Sequence, residues 1–181
     1  YLSAFDTLTG IYNKSKFFEA TREMLSENRN ESFVFMRFDV DRFQLINSFF
    51  GTAEGDKLLK YIADCVRNTA CQIEHFTYGR MESDIFCCCL PAEPQQLNQV
   101  VRDSRIKLVQ FNPTYDIVPS IGLYLIEDNS LSVETMYNRA TQAAKTCKGN
   151  YVDYYAFYDQ SMSQKLNLEQ EITNEMNHAL E

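Results

Sequence analysis

Segments with the periodicity of β-strands alternate along this chain with segments that have the periodicity of helices. The clearest strand is ESFVFMRFDV (31–40), which is almost continuously apolar, as expected for a strand in the middle of a sheet. An amphipathic helix is predicted before it, over 14–28, with Asn13 as its N-cap. This alternation favours a sheet covered by helices.

The order of the remaining segments narrows the fold further. After the central strand the pattern predicts two helices, two strands joined by a turn, and then helix, strand, helix, strand and helix. Their ranges are 41–51, 53–69, 73–79, 84–90, a helix that begins after Pro94, 114–128, 132–147, 151–159 and 161–181. The central part of this order is that of a ferredoxin-like palm. We expect an α/β (α+β) domain over 1–160 with a central, mostly antiparallel sheet flanked by helices, followed by a C-terminal helix over 161–181.

The charge of the chain argues against two classes of partner. The 181 residues carry a net charge of −8, and an acidic surface repels nucleic-acid backbones and anionic membranes. The sequence contains no apolar run long enough for a membrane span. Its six cysteines include no CxxC pair, which is typical of small buried residues in a reducing compartment. We expect a cytoplasmic domain, or the cytoplasmic part of a membrane-anchored protein, cut from a longer chain.

Three aspartates are candidates for a metal site. Asp39 and Asp41 follow each other at i and i+2 where the buried strand ends, a position suited to Mg²⁺ ligands that hold a triphosphate. The alternative is that Asp41 caps the next helix. Asp84 lies at the predicted hairpin turn, where it could complete the metal site or serve as an ordinary turn residue.

Two further pairs could contact a nucleotide. Asn47 and Asp56 combine an amide with a carboxylate that could accept from the N1–H and N2–H₂ groups of guanine, although helix capping and surface solvation explain them equally well. Lys145 and Lys148 could contact phosphate, or could simply favour the dipole at a helix C-terminus.

Several motifs in the same order resemble the GGDEF domain family, the diguanylate cyclases of bacterial cyclic-di-GMP signalling. The resemblance covers nearly the whole chain, and it implies the palm fold of nucleotide cyclases. The matching segments are DTLTGIYN (6–13) against DxLTGLxNR, FDVDRFQLINSFFGTAEGDKLL (38–59) against FDxDxFKxINDxxGHxxGDxxL, SIG (120–122), and KTCKGNY (145–151) against the closing lysine-glycine-asparagine segment.

The family's catalytic signature, R-x-G-G-[D/E]-E-F, is degenerate in this chain. The corresponding residues are Arg80-Met81-Glu82-Ser83-Asp84-Ile85-Phe86. Both glycines are replaced, and the glutamate implicated in catalysis is an isoleucine, which can neither accept a proton nor bind a metal. The resemblance implies that Asp39, Val40 and Asp84 would hold Mg²⁺, only if GTP binds, and that Asn47, Asp56 and Lys145 would bind the nucleotide. It identifies no intact catalytic residue, because Glu82, Ser83, Asp84, Ile85 and Phe86 form the altered signature.

Three functions therefore remain open at this stage. The first is a regulatory domain that binds GTP and controls a linked EAL domain, so that the full-length protein is a cyclic-di-GMP phosphodiesterase; LNLEQEITNEMNHALE (166–181) resembles the helix that joins the two domains. The second is a structural module that forms a homodimer. The third is a weakly active diguanylate cyclase.

Overall fold

The computed structural model describes residues 3–160 and 178–179, which form helices and strands in the predicted order. The elements are α1 (Lys14–Glu27), β1 (Phe33–Val40), α2 (Phe43–Phe50), α3 (Thr52–Ala70), β2 (Thr77–Glu82), β3 (Ile85–Pro91), α4 (Pro94–Phe111), β4 (Pro119–Ile126), α5 (Val133–Thr146) and β5 (Tyr155–Phe157). The side chain of Asn13 caps α1 by accepting from the backbone N–H of Lys16, as predicted.

The strands form one mostly antiparallel sheet in the order β2-β3-β1-β4-β5. The central strand β1 pairs antiparallel with both β3 and β4, whereas β4 and β5 are parallel. All eight residues of β1 are buried. The mixed α/β fold with a central sheet flanked by helices is therefore confirmed.

Helices cover both faces of this sheet. The alternation of side chains along β1 sends Val34, Met36, Phe38 and Val40 into one core, which they share with α2, α3 and α4. It sends Phe33 and Phe35 into a second core with α1 and α5. Arg37 and Asp39 lie on this second face, toward the end of the strand.

A glycine fixes the distance between α5 and the sheet. A Cβ atom at Gly122 of β4 would lie only 1.8 Å from the backbone oxygen of Ala140. The helix backbone can therefore lie directly on the strand only because residue 122 has no side chain. This contact sets where the C-terminal end of α5, with Lys145, stands relative to β1.

The structure adjusts several predicted boundaries. The strand expected over 114–128 is shorter, since β4 begins at Pro119, and the last strand is reduced to Tyr155–Phe157. The strand expected over 73–79 begins only at Thr77. Residues 161–177 and 180–181, which contain most of the predicted C-terminal helix, lie outside the described residues. Within the described part of the chain, no helix is long and apolar enough to cross a membrane.

Candidate nucleotide-binding site

The end of β1 brings two of the predicted metal ligands together. Asp39 is the penultimate residue of β1, and Asp84 lies in the turn between β2 and β3. The backbone N–H of Val40 donates to Oδ2 of Asp84 over 2.9 Å, so the hairpin carboxylate is held against the end of the central strand. The carboxylate of Asp84 and the backbone of Val40 thus meet at the end of the central strand that also carries Asp39.

The third predicted aspartate has another environment. Asp41 lies beyond the end of β1, where its backbone N–H donates to the oxygen of Val118. Its carboxylate lies 4.0 Å from Nε of Arg42. Arg42, not Asp41, is the residue before α2, and it has a left-handed φ of 58° without a side-chain cap. The alternative that Asp41 caps the next helix is therefore wrong.

A buried ion pair occupies the floor of the site. Nη1 of Arg37 donates to Oδ2 of Asp39 over 3.1 Å, and both side chains are about nine-tenths buried. The two residues share a face because they are two positions apart in β1. Arg37 faces the α5 side of the sheet, where its guanidinium also influences Tyr137.

This pair leaves polar atoms without partners. Among the described residues, the buried side-chain nitrogen and oxygen atoms that lack a hydrogen bond are Nε of Arg37, Oδ1 of Asp39 and Oγ of Ser120. Ser120 of β4 is the register partner of Asp39. The three atoms therefore belong to one small region, and native proteins rarely leave such atoms unsatisfied without a functional reason.

The protonation of Asp39 reflects the same environment. Burial raises the pKa of its carboxyl group, and the negative charge of Asp84 adds to this effect. Arg37 and Lys148 act in the opposite direction but do not cancel it. The interaction also shows that the charge of Lys148, just beyond α5, reaches the carboxylate.

The hairpin that carries Asp84 keeps a glycine-like conformation without a glycine. Ser83 and Asp84 form its two-residue turn, and Ser83 has a left-handed φ of 49°. Nε of Arg80 donates to the backbone oxygen of Ser83, and its Nη1 pairs with Asp6 at 3.1 Å. Asp6 in turn accepts from the backbone and hydroxyl of Thr9. The Arg80–Asp6 pair therefore anchors the hairpin to the segment 6–13, which matches the family's DxLTGLxNR motif.

The remaining signature positions have packing roles or lie in the hairpin. Phe86 is buried and stacks on Phe38 with ring centroids 5.5 Å apart, so it has a packing role. Ile85 pairs with Glu82 across the hairpin and offers no proton acceptor. Burial raises the pKa of Tyr137 in α5, and the charges of Cys87 and Glu82 add to the shift. Glu82 is exposed and pairs with Ile85, which lies two residues from Cys87 and therefore on the sheet face that also carries Arg37 and Asp39.

The predicted nucleotide ligands Asn47 and Asp56 lie where α2 meets α3. A Cβ atom at Gly55 would lie 1.9 Å from Oδ1 of Asn47, so the amide lies directly against α3 because residue 55 is a glycine. Asp56 is the next residue of α3, and its side chain is exposed. The structure therefore holds Asn47 against the helix that carries Asp56. Lys145, in the last turn of α5, is exposed.

The donor set fits a divalent cation only in part. Asp39 Oδ1 is a buried acceptor without a hydrogen bond in the described structure, and Asp84 is bonded to the backbone N–H of the next residue, Val40. Carboxylate and backbone oxygens suit Mg²⁺. However, no group of three or more histidine, cysteine, aspartate or glutamate side chains within the described ranges could hold a metal. Arg37 also places a permanent positive charge against Asp39.

Sequence reasoning missed Arg37 and Ser120. The signal for Arg37 was available, because a charged residue inside an otherwise apolar central strand must find a partner on its own face. That face contains the residue two positions away, Asp39. Ser120 carried no such signal, since its burial beside Asp39 depends on the register of β4.

The family model described as "Diguanylate cyclase, GGDEF domain" matches residues 3–151. The chain belongs to the GGDEF domain family. Family membership assigns the domain to cyclic-di-GMP signalling. The resemblance of the sequence motifs to the GGDEF family is confirmed.

Relatives of this GGDEF domain include proteins of different function. It is 24% identical over 149 residues to the probable diguanylate cyclase DgcT of Escherichia coli, covering 79% of the chain and 33% of the relative. It is 25% identical over 166 residues to the cyclic di-GMP phosphodiesterase NbdA of Pseudomonas aeruginosa, covering 86% and 21%. The fold matches the Vibrio cholerae LapD S helix-GGDEF-EAL structure bound to c-di-GMP, with a TM-score of 0.71, 18% identity, and coverage of 95% of this chain and 43% of the other. The chain spans a third or less of these two curated relatives.

Proposed function

We propose that this chain is a catalytically degenerate GGDEF domain that binds GTP and regulates a linked EAL phosphodiesterase. The observation that carries the proposal is the contrast between the two ends of the site. At the α2–α3 end, Gly55 keeps Asn47 against the helix that also carries the exposed Asp56. At the Asp39 end, Ile85 occupies the position of the glutamate that the family signature uses in catalysis. Loss of a general acid or base costs on the order of 10²–10⁴ in reaction rate. We therefore expect the domain to retain nucleotide binding while its cyclase rate is lost.

Each group has a role in this proposal. Asn47 and Asp56 recognise the guanine edge, and Lys145, assisted by Lys148, contacts phosphate. Asp39, Val40 and Asp84 would hold the Mg²⁺ that accompanies GTP, which would neutralise phosphate charge there. The signal would pass through 161–181 to a following EAL domain. Support for that arrangement comes from the similarity to LapD, whose structure contains both domains, and to the phosphodiesterase NbdA.

Calorimetric titration of the purified domain with GTP and with ATP, each with and without Mg²⁺, tests the binding step. We expect saturable GTP binding that is tighter than ATP binding, because ATP lacks the N1–H and N2–H₂ donors that Asp56 would accept. Replacing Asp56 by Ala should weaken GTP binding about 10–100-fold, since a hydrogen bond to a charged group contributes about 1.5–3 kcal/mol. The matched control is Asp64→Ala, which removes an exposed carboxylate from the same helix.

A second candidate, a structural module that dimerises without nucleotide, is favoured by one observation. Glu82 pairs with Ile85 on the sheet face that carries Asp39, where its negative charge would oppose a triphosphate. In that case GTP would produce no heat and no thermal stabilisation, because only a ligand that binds the native state raises its stability. Cyclic-di-GMP formed from GTP well above a buffer blank would instead establish an active cyclase.

A further inference from the structure

The feature that the proposed function does not use is Arg37. It lies among apolar residues in the central strand, with only 7% of its surface exposed. Buried arginines require a paired charge, and even then the loss of hydration usually outweighs the attraction. Two atoms of this pair, Nε of Arg37 and Oδ1 of Asp39, also lack hydrogen bonds within the described residues. The pair is therefore an unfavourable way to stabilise a fold.

The partner of Arg37 is the carboxylate that the proposed function assigns to a metal. The guanidinium donates to Oδ2 of Asp39 at 3.1 Å, so one of the two oxygens is engaged. An arginine remains protonated at every physiological pH. A permanent positive charge thus lies beside the carboxylate to which the proposed function assigns the Mg²⁺ that would accompany GTP.

The charges around the end of β1 balance without a metal. The charged side chains that act on the Asp39 carboxylate are Arg37 and Lys148, which are positive, and Asp84, which is negative. Together with Asp39 itself, two formal negative charges face two positive ones. A site that holds Mg²⁺ through carboxylates normally carries an excess of negative charge, and this excess is missing here.

We propose that Arg37 is a resident cation that competes with divalent metal for Asp39, so that the nucleotide site is poor in metal and its affinity for nucleotide depends only weakly on Mg²⁺. The inference rests on the proposed function for the assignment of Asp39 to the metal position. Arg37 lies one residue before the family motif that begins at Phe38, so that motif does not include it.

The size of the effect follows from electrostatics. A unit charge within about 4–6 Å changes the protonation equilibrium of a carboxyl group by about 1–3 pKa units. A divalent cation experiences the same potential with twice the charge, and it must also displace the hydrogen bond from Arg37. Removing the charge of Arg37 should therefore raise the divalent-metal affinity of the empty site at least about tenfold.

Titration with Mn²⁺, followed by electron paramagnetic resonance of the free ion, measures this affinity without nucleotide or turnover. The informative variant is Arg37→Gln, which keeps a donor near Asp39 but removes the charge. Arg22→Gln is the control, because it removes an arginine from an exposed pair with Glu134 and changes net charge equally. The double variant Arg37→Gln/Asp39→Asn identifies the ligand.

We expect Arg37→Gln to bind Mn²⁺ at least about tenfold more tightly than the wild type, with no such gain in Arg22→Gln and loss of the gain in the double variant. Equal affinity in wild type and Arg37→Gln, or a gain that survives without Asp39, would overturn the inference. If Arg37→Gln does not fold, the Mn²⁺ affinities of the wild type and of Asp39→Asn are compared instead. Tight Mn²⁺ binding by the wild type that Asp39→Asn abolishes would overturn the inference. Weak Mn²⁺ binding that Asp39→Asn does not change would support the inference. Because the probe is Mn²⁺ alone, the result stands apart from GTP binding. A domain that fails to bind GTP but gains Mn²⁺ in Arg37→Gln would refute the proposed function only.

Discussion

The buried pair of Arg37 and Asp39 gives a prediction about stability that needs no ligand. Removing one member of a buried ion pair leaves an uncompensated charge and costs about 3–5 kcal/mol. We therefore expect Arg37→Met and Asp39→Val each to lower the free energy of unfolding by about that amount. Urea unfolding followed by far-ultraviolet circular dichroism measures each change.

The double variant should behave differently, because it removes both charges together. The two unpartnered atoms each carry a desolvation cost of about 1–3 kcal/mol, whereas the hydrogen bond between charged groups contributes about 1.5–3 kcal/mol. Their difference places Arg37→Met/Asp39→Val between about 1 kcal/mol less stable and about 4.5 kcal/mol more stable than the wild type. Other buried pairs replaced by apolar residues range from no change to about 4 kcal/mol more stable.

The two single variants and the double variant together form a double-mutant cycle, which measures the coupling energy between Arg37 and Asp39. Its matched control is the same cycle on the exposed pair of Arg22 and Glu134, which lie 3.5 Å apart. Their coupling energy should be below about 1 kcal/mol, since solvent screens exposed charges. For Arg37 and Asp39 we expect a coupling of at least about 3 kcal/mol. Single changes that add to within about 0.5 kcal/mol in the double variant would show that the two groups do not interact, and would remove the basis for treating Arg37 as a resident cation.

Three further changes test other parts of the fold, each by urea unfolding. Ser83→Gly should stabilise the domain by about 0.5–1 kcal/mol, because a left-handed φ strains a residue that has a Cβ atom. The entropy that glycine loses on folding offsets part of this gain. A loss of stability would contradict the prediction. Burial raises the pKa of Asp6, but hydrogen bonds from Thr9 and the pair with Arg80 outweigh it and hold that pKa below its usual value. Asp6→Asn should therefore cost about 1–2 kcal/mol near neutral pH, and the difference from wild type should shrink as pH falls below about 4; a difference that does not change with pH would be inconsistent. Gly122→Ala should cost about 3 kcal/mol or more, because its Cβ would meet the backbone of α5, and a neutral change would show that α5 can move away.

The fold could be predicted from local patterns because its central strand is unambiguous. All eight residues of β1 are buried, and the continuous apolar run from Phe33 to Phe38 is interrupted only by Arg37. The strand at 155–157 was overestimated, since its tyrosine-rich sequence favours β-structure but only three residues pair with β4. Local propensity cannot report how far a neighbouring strand extends.

The candidate site was predictable where backbone geometry depends on residue type and unpredictable where it depends on register. The Asn47–Gly55 contact follows from a glycine that matches the family motif, and Asp84 reaches Val40 because a two-residue turn leaves it little freedom. The direction of Glu82 and the burial of Ser120 depend instead on how β2, β4 and α5 are placed around β1. No local pattern in the sequence contains that information.

The two ends of the site are held in the fold in different ways. At the α2–α3 end, the side chain of Asn47 lies against Gly55, so its position depends on the packing of α2 on α3. At the Asp39 end, Glu82 is exposed and Ile85 half-buried in a hairpin that Arg80 and Asp6 anchor, so the fold does not require a carboxylate at position 85. Arg37 is different, because it is buried and costly. A costly residue beside Asp39 is easier to understand as part of the site's function than as a contribution to the stability of the fold.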